Sequence, residues 1–534
     1  MRRKVVVLLG VLGCGPGIMG DDPGGLLPSP DAGSGPDASR PNPGPRADAA
    51  PTSNTIPLDP GPGNSSGVKR DPQGRLILDS SGTAVPFSLI WVANSAEGTV
   101  SKIDTVTGKE LGRYRTGPAG SDPSRTTVAI DGDVVVANRG GGSAVRIHAN
   151  PATCPDKNGN GTVETSSGPA DVLPWESDEC VLWFRPFAHG SLPRAAAFDF
   201  VNDSYGLRSS SVWIGLWGTN KLVRLDAQTG EIVKEVSIPG HCPYGMAFGQ
   251  GGNLWVFDSC RIKLLRLDTA SYAWDTTDIG GRCAYGITVD SKGNVWTSGG
   301  NCVARYEPGT KTWSTKTVGS SNRGLAYDGK GSIWIADTQF GVHRVDATSM
   351  AVLADVRLNA GGFVGMAVDF NRKIWAISQS GSKAFRIEPD TLASQSFATG
   401  HYPYTYSDMT GLQLQNAAPP AGRYKSTVEG CGPETQWLEL HWKATTAPGT
   451  HVAFQARTGN TAEELAAKGF VPIARQPSDV SPADLRAALE AKAPGSSFGR
   501  LLEIEMSLVS EKAGVSPIIE EVTVRSSCKN NGIE

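Results

Sequence analysis

Apolar residues along the chain fall in short runs, and one kind of run recurs with a tryptophan near its middle. The copies are LIWVAN (Trp91), SVWIGL (Trp213), NLWVFD (Trp255), NVWTSG (Trp296), SIWIAD (Trp334) and KIWAIS (Trp375). The last four intervals are 42, 41, 38 and 41 residues, and VVVAN, with Val135 in the tryptophan slot, adds a seventh copy between Trp91 and Trp213. Each copy reads as a strand, a Gly-rich turn, the tryptophan strand, a loop, a third strand such as KLVRLD, a turn such as AQTGE, and a fourth strand. Four short strands in a period near forty predict one blade of a β-propeller per copy. The first copy, beginning near Phe87, lacks the strand before its turn, and HYPYTYSDMTGLQL (401–414) resembles the missing piece. The pattern therefore predicts a seven-bladed β-propeller over residues 85–415, with 402–414 completing the first blade and protecting its edge.

From about residue 418 the period stops. TQWLELHWKATT, THVAFQART, RLLEIEMSLVS and PIIEEVTVRSS alternate as half-buried strands, which predicts a β-sandwich over 418–530. Its one helical stretch, SPADLRAALEAKA, is expected to open with Ser481 as cap and Pro482 in the first turn. His441 and His451 read as ordinary strand residues.

The start is an export signal, with MRRK as the positive region and VVVLLGVLG as an apolar stretch too short to span a bilayer. Val11-Leu12-Gly13-Cys14 resembles the lipobox of bacterial lipoproteins. That resemblance implies a signal peptide over 1–14, lipidation of Cys14 and a membrane anchor on the cell envelope. Glycine rather than aspartate after Cys14 points to the outer membrane. Residues 15–80 are dominated by Pro, Gly, Asp, Ser and Ala and read as a disordered tether. Lys+Arg 50 against Asp+Glu 53, with no dense basic run after the start, exclude an electrostatic footprint for nucleic acid.

Of nine cysteines, eight remain once Cys14 is lipidated, an even number in an exported chain. HCPYGMAFGQGGNLWVFDSC (241–260) and RCAYGITVDSKGNVWTSGGNC (282–302) each place one cysteine before the first strand and one after the tryptophan strand. Antiparallel neighbours bring those ends together, so Cys242 is expected to pair with Cys260 and Cys283 with Cys302. Cys154 and Cys180 bracket an insertion, and Cys431 and Cys528 lie near the two ends of the C-terminal domain.

That insertion, 154–180, begins CPDKNGNGTVE. Asp156, Asn158 and Asn160, followed by Gly161, Thr162 offering its carbonyl and Glu164 in ninth place, follow an EF-hand-type calcium loop. Ser167 stands where the twelfth-position Glu belongs, so Asp171, Glu176, Asp178 or Glu179 would have to replace it. Calcium is the expected cofactor.

Pro243-Tyr244-Gly245-Met246 with Leu254-Trp255-Val256-Phe257-Asp258, and the copies at 284–296 and 323–334, resemble the repeat of the streptogramin B (virginiamycin B) lyases, a motif shared with NHL-type propellers. The resemblance covers roughly 190–415. It implies a propeller and, if activity came with it, magnesium-assisted opening of a cyclic depsipeptide ester by a histidine and a glutamate. The lyase histidine corresponds to Tyr244, and the glutamate to Asp258 or Asp337; no copy carries both original residues.

The turns before the first strands and after the tryptophan strands should ring one mouth of the channel. The Tyr244 slot reads Ser124, Arg194, Tyr244, Tyr285, Arg323, Val364 and Tyr404 around the ring. The slot three after the tryptophan reads Asn94, Asn138, Leu216, Asp258, Gly299, Asp337 and Ser378, while His241 and His401 flank tyrosines in matching copies. Tyrosine faces and arginine forks suit sugars, aryl groups or carboxylates, on a small molecule, a glycan or a protein partner. The sequence thus favours a binding or interaction module, with a lyase as the alternative.

Overall fold

The computed structural model describes residues 51–61, 64–79, 88–203, 206–279, 283–413, 421–510 and 515–528. The segment expected to be a signal peptide, Cys14 and the first part of the expected tether lie outside the described residues. The chain is all-β, built from many antiparallel sheets.

From the third copy on, the tryptophan of each repeated run lies on the second strand of its copy. The second copy pairs Pro123–Val128, Val134–Asn138, Ser143–Ile147 and Val181–Pro186 in order. The third uses Pro193–Phe198, Ser211–Leu216, Lys221–Asp226 and Ile232–Ser237. The fourth uses Pro243–Phe248, Asn253–Asp258, Lys263–Asp268 and Trp274–Asp278. Copies five and six share one sheet, because Thr312–Tyr327 is the last strand of one and the first of the next. Phe363–Val368 opens the seventh copy, which ends with Ser394–Ala398.

The first copy has three strands, Leu89–Asn94, Thr99–Asp104 and Glu110–Arg115. Residues 403–409 run beside the first of these. Pro403 bridges Asn94, the Tyr404 amide donates to the Ala93 carbonyl at 3.2 Å, and the Trp91 amide donates to Met409 at 2.9 Å.

The tryptophans form the core of the copies: Trp91, Trp213, Trp296, Trp334 and Trp375 are fully buried, as is Val135 in the same slot. A recurring aspartate six residues earlier fixes three of them. Asp290, Asp328 and Asp369 each accept two backbone N–H groups of the turn with one oxygen and the tryptophan indole N–H with the other. One carboxylate thus shapes the turn and orients the ring, a link that the apolar pattern does not reveal.

A basic side chain on the third strand ties most copies to the next. Arg305 donates to the Ala347 and Thr348 carbonyls, Arg344 to Pro389, and Arg146 to Ala227. Arg386, in the seventh copy, donates to the Thr105 and Val106 carbonyls of the first at 2.7 and 2.6 Å. The same device therefore joins the last copy to the first.

First strands of neighbouring copies approach closely. A Cβ on Gly365 would lie 1.9 Å from the Thr405 carbonyl oxygen, and one on Gly324 would lie 2.7 Å from that of Val364. Glycine there is a packing requirement, and it makes any large residue in the equivalent position conspicuous.

The C-terminal domain has two antiparallel sheets. One contains Thr435–Thr445 and Ile518–Cys528; the other contains Ala421–Glu429, Leu501–Ser510, Thr450–Gly459 and Val471–Gln476. Trp437, Leu440, Phe454, Leu502, Ile504 and Met506 meet in a core between them. The helix begins later than the sequence implies: it spans Leu485–Lys492, and Asp484, not Ser481, caps it by accepting from the Ala487 amide. Ala483 and Asp484 are held by pairing with Leu440 and Glu439, which delays the helical turn.

The tether also ends earlier than expected. Thr52–Thr55 pairs antiparallel with residues 523–526, and Val68–Arg70 and Leu76–Leu78 form a hairpin in the same sheet. Ile56, Leu58, Val68, Leu76 and Leu78 are buried in the C-terminal core. Sparse as these apolar residues are, the two sheets supply the surface that they need to bury.

Candidate functional site

The Tyr244 slot sits at the start of each first strand, and the structure brings five of its seven residues together. The Tyr404 hydroxyl lies 2.9 Å from that of Tyr244 and 2.5 Å from that of Tyr285. The Tyr244 and Tyr285 rings meet edge to face at 5.5 Å. The Arg194 guanidinium stands 5.2 Å from the Tyr244 ring centre, and Arg323 stands 4.8 Å from that of Tyr285. Ser124 and Val364 are buried and do not join them.

Two residues missing from the sequence-based set complete the cluster. Arg125 is fully buried and reaches across to the fourth copy, where its Nε and one terminal nitrogen donate to the Tyr244 carbonyl at 3.3 and 3.1 Å; the other donates to Ser124 at 2.6 Å. Its guanidinium carbon lies 3.4 Å from the centre of the Tyr406 ring and 5.1 and 5.7 Å from those of Tyr244 and Tyr404. The signal was present: Arg125 occupies the position that Gly245, Gly286, Gly324 and Gly365 hold in other copies.

Burial pulls Arg125 down to about 10, partly offset by the facing phenols. Burial also raises the Tyr404 phenol and drives Tyr285 far above its ordinary value. At Tyr244 burial acts the same way but is outweighed by Arg125 and by hydrogen bonds from Tyr404 and Tyr285, which lower its phenol. Tyr244 is therefore the most acidic member of a hydrogen-bonded phenol trio.

The other candidates are placed elsewhere. His241 and Asp258 form a buried pair, Nδ1 to Oδ2 at 2.7 Å, and the second Asp258 oxygen accepts from the Cys242 and Cys260 amides. Asp337 accepts from the Ser320, Ser321 and Gln339 amides and faces His343 Nε2 at 3.4 Å. Burial would raise its carboxyl, yet these donors hold it down to about 2. Both carboxylates that the lyase resemblance points to are thus occupied in tying strand ends. His401 is exposed, its ring beside that of Tyr402 and its backbone amide donating to Glu97. Asn94, Asn138 and Ser378 likewise bond neighbouring loops and strands.

The four disulfides are Cys154–Cys180, Cys242–Cys260, Cys283–Cys302 and Cys431–Cys528, as the spacing implies. Among the described residues, Cys242, Asp258 and Cys260 make a tight group of metal-ligating types, but both sulfurs are in a disulfide.

Inside the Cys154–Cys180 loop, Asn158, Asn160 and Thr162 all donate to the Glu164 carboxylate at 2.8–2.9 Å. Asp156 accepts from the Gly159, Asn160 and Gly161 amides. Glu179 accepts from the amides of Lys157, Asn158 and Glu164, bracing the loop from its backbone side. The side chains of Asn158, Asn160 and Thr162 thus converge on Glu164, the two asparagines through their amide nitrogens, while Glu179 is engaged as a brace.

Deeper along the first strands, residues 407–413 cross between two small cavities. One, of about 20 Å³, lies against copies five to seven; the other, of about 10 Å³, lies against copies two to four, and Asp408 and Gln413 line both. Asp408 Oδ1 accepts from the Thr410 and Gly411 amides, whereas Oδ2 and Gln413 Nε2 have no partner among the described residues. Burial raises the Asp408 carboxyl to about 6.

No protein-family model matches the chain, and no curated protein does. Solved structures do. A streptogramin B lyase structure is similar at 14% identity and a TM-score of 0.40, over 61% of this chain and 94% of that one. A catalytically inactive virginiamycin B lyase from Staphylococcus aureus with quinupristin is similar at 15% identity and 0.39, over 61% and 96%. Kuenenia stuttgartiensis hydrazine synthase is similar at 13% and 0.40, over 54% and 90%. The lyase resemblance of the repeat thus recurs among solved structures. Likeness at this level carries no argument about activity.

Proposed function

We propose that the chain is an envelope lipoprotein, exported and anchored through Cys14, in which a seven-bladed propeller closed by residues 403–409 binds a ligand and a β-sandwich supports it. The observation that carries the binding role is the convergence of Tyr244, Tyr285 and Tyr404 from three copies, flanked by Arg194 and Arg323, at one end of the first strands. Aromatic faces with hydroxyl and guanidinium donors recognise planar or hydroxylated molecules. Ligand-observed NMR of monosaccharides, phenols and organic acids against the full chain tests this. Hits lost in Tyr285→Ala are expected, and a panel with none refutes it. The anchor is tested by the mass of the N-terminal peptide, which should carry a diacylglyceryl group that Cys14→Ser removes.

The occupation of Asp258 and Asp337 by backbone donors favours binding over catalysis. The competing reading, elimination in a cyclic depsipeptide with magnesium, would be established by ring opening that Asp258→Ala abolishes. A second role rests on the insertion, where the converging side chains of Asn158, Asn160, Thr162 and Glu164 beside Asp156 fit calcium, a hard cation that takes oxygen ligands.

A further inference from the structure

The tyrosine cluster carries more positive charge than its surroundings balance. Arg125 is fully buried and its hydrogen bonds go only to carbonyl oxygens. Arg194 has no hydrogen bond or ion pair among the described residues, and Arg323 donates only to the Asn322 carbonyl. Arg139, over the Tyr404 ring at 5.2 Å, is by contrast matched by Asp122 through two bonds of 2.6 and 2.7 Å. Three guanidinium groups thus face three phenols with no carboxylate between them. A buried cation is costly to keep unless it is paired, so a fold that retains one here has a place for a counter-charge.

The polar atoms around Arg125 lead to the same conclusion. The Tyr406 hydroxyl is buried with no partner among the described residues, on the ring stacked against the Arg125 guanidinium. Buried orphan hydroxyls are uncommon and mark either water or a ligand. The phenol trio above has three hydroxyl hydrogens for two mutual contacts whose donors are interchangeable, so one hydrogen remains to donate to an acceptor.

We infer that this end of the first strands is an oxyanion site, which receives the carboxylate or phosphate group of a small organic acid over the Tyr244, Tyr285 and Tyr404 hydroxyls, with Arg125 beneath and Arg194 and Arg323 beside it. This rests on the binding role proposed above and names its ligand class. Arginine is suited to the task, since its planar fork matches both groups and remains charged. The internal alternative is that a Tyr244 phenolate supplies the counter-charge, and in that case the site has no need of an anion.

Isothermal titration of the full chain with benzoate and with phenyl phosphate separates the two oxyanions, and phenol and methyl β-glucoside serve as neutral controls. Binding of at least one oxyanion is expected, weakening as salt rises, with at least tenfold loss in Arg194→Gln and in Arg323→Gln. Both side chains lie at the edge of the cluster, so neither variant needs the core to repack; Arg125→Met, which does, should abolish binding if it folds. The oxyanion that binds more tightly identifies the source of the charge. Oxyanion binding unchanged in Arg194→Gln would overturn the inference, because the anion would be bound elsewhere. Binding of the glucoside or phenol alone would overturn it and leave the binding role standing. Failure of all four probes, with tyrosinate absorbance near neutral pH that Tyr244→Phe removes, would overturn the anion site in favour of the internal phenolate.

Discussion

Replacing Asp408 with asparagine should stabilise the protein at neutral pH and do so progressively less as the pH falls toward 4. Asp408 lies between the two small cavities with one oxygen bonded to the Thr410 and Gly411 amides and the other unpartnered, and burial raises its carboxyl to about 6. In the unfolded chain the carboxyl titrates near its ordinary value of ~3.9. The folded state therefore holds the proton more tightly, and stability is greatest below about pH 4 and lost as pH rises through 6. Two pH units at ~1.4 kcal/mol each put the loss at about 3 kcal/mol. Asparagine keeps the acceptor for the two amides, places a neutral amide where the unpartnered oxygen was, and cannot ionise. Urea unfolding of wild type and Asp408→Asn at pH 4.5 and pH 7.5 gives the double difference, in which other titrating groups cancel. A gain of about 2–3 kcal/mol at pH 7.5 that shrinks to about 1 kcal/mol at pH 4.5 is expected. Equal differences at both values would show that the carboxyl does not titrate as described.

Asp337 should behave in the opposite sense. Its carboxyl is held down to about 2 by the Ser320, Ser321 and Gln339 amides and His343, against the pull of burial. Asp337→Asn should cost about 2 kcal/mol at pH 7, a penalty that fades between pH 4 and pH 2, read by the same unfolding assay. If calcium occupies the insertion, it stabilises the fold by ~2.7 kcal/mol at a hundredfold excess over its dissociation constant. Chelation should then lower the melting temperature and Asp156→Ala should erase the difference; coincident melting curves would reduce the loop to a turn. Deleting residues 1–50 should leave the melting profile intact, whereas deleting 1–80 should expose the core around Trp437 and Leu440 and raise dye binding. An unchanged profile after the longer deletion would mean that the strands at 52–78 are dispensable.

The repeat could be read from the chain because its signals are local. Each tryptophan lies within one strand, and each disulfide in the fourth and fifth copies closes fewer than twenty residues, so spacing alone pairs them. What escaped detection depends on contacts between distant segments. Asp258 looks like a free carboxylate in sequence, yet two amides and His241 occupy it. The five buried apolar residues from Ile56 to Leu78 are too few to mark a fold until their partners, from 421 onward, are known. Arg125 escaped for a different reason. Its slot holds glycine in four other copies, and an arginine there is long enough to reach from the second copy to the fourth.

The pairing of Thr52–Thr55 with the last strand, Ile518–Cys528, also fixes an order of assembly. Residues 52–78 leave the ribosome first but meet the last strand only after roughly 440 more residues have been made, a wait of about 20–90 s at ~5–20 residues per second. Everything between is the repeat, whose contacts are mostly to adjacent copies and can form as they appear. The chain is therefore one domain threaded through another, and the inner one can be complete while the outer one is still an open pair of ends. Closing the outer one brings the two ends of the inner one together, so a chain stalled before residue 421 would present a finished repeat region trailing an unpaired strand.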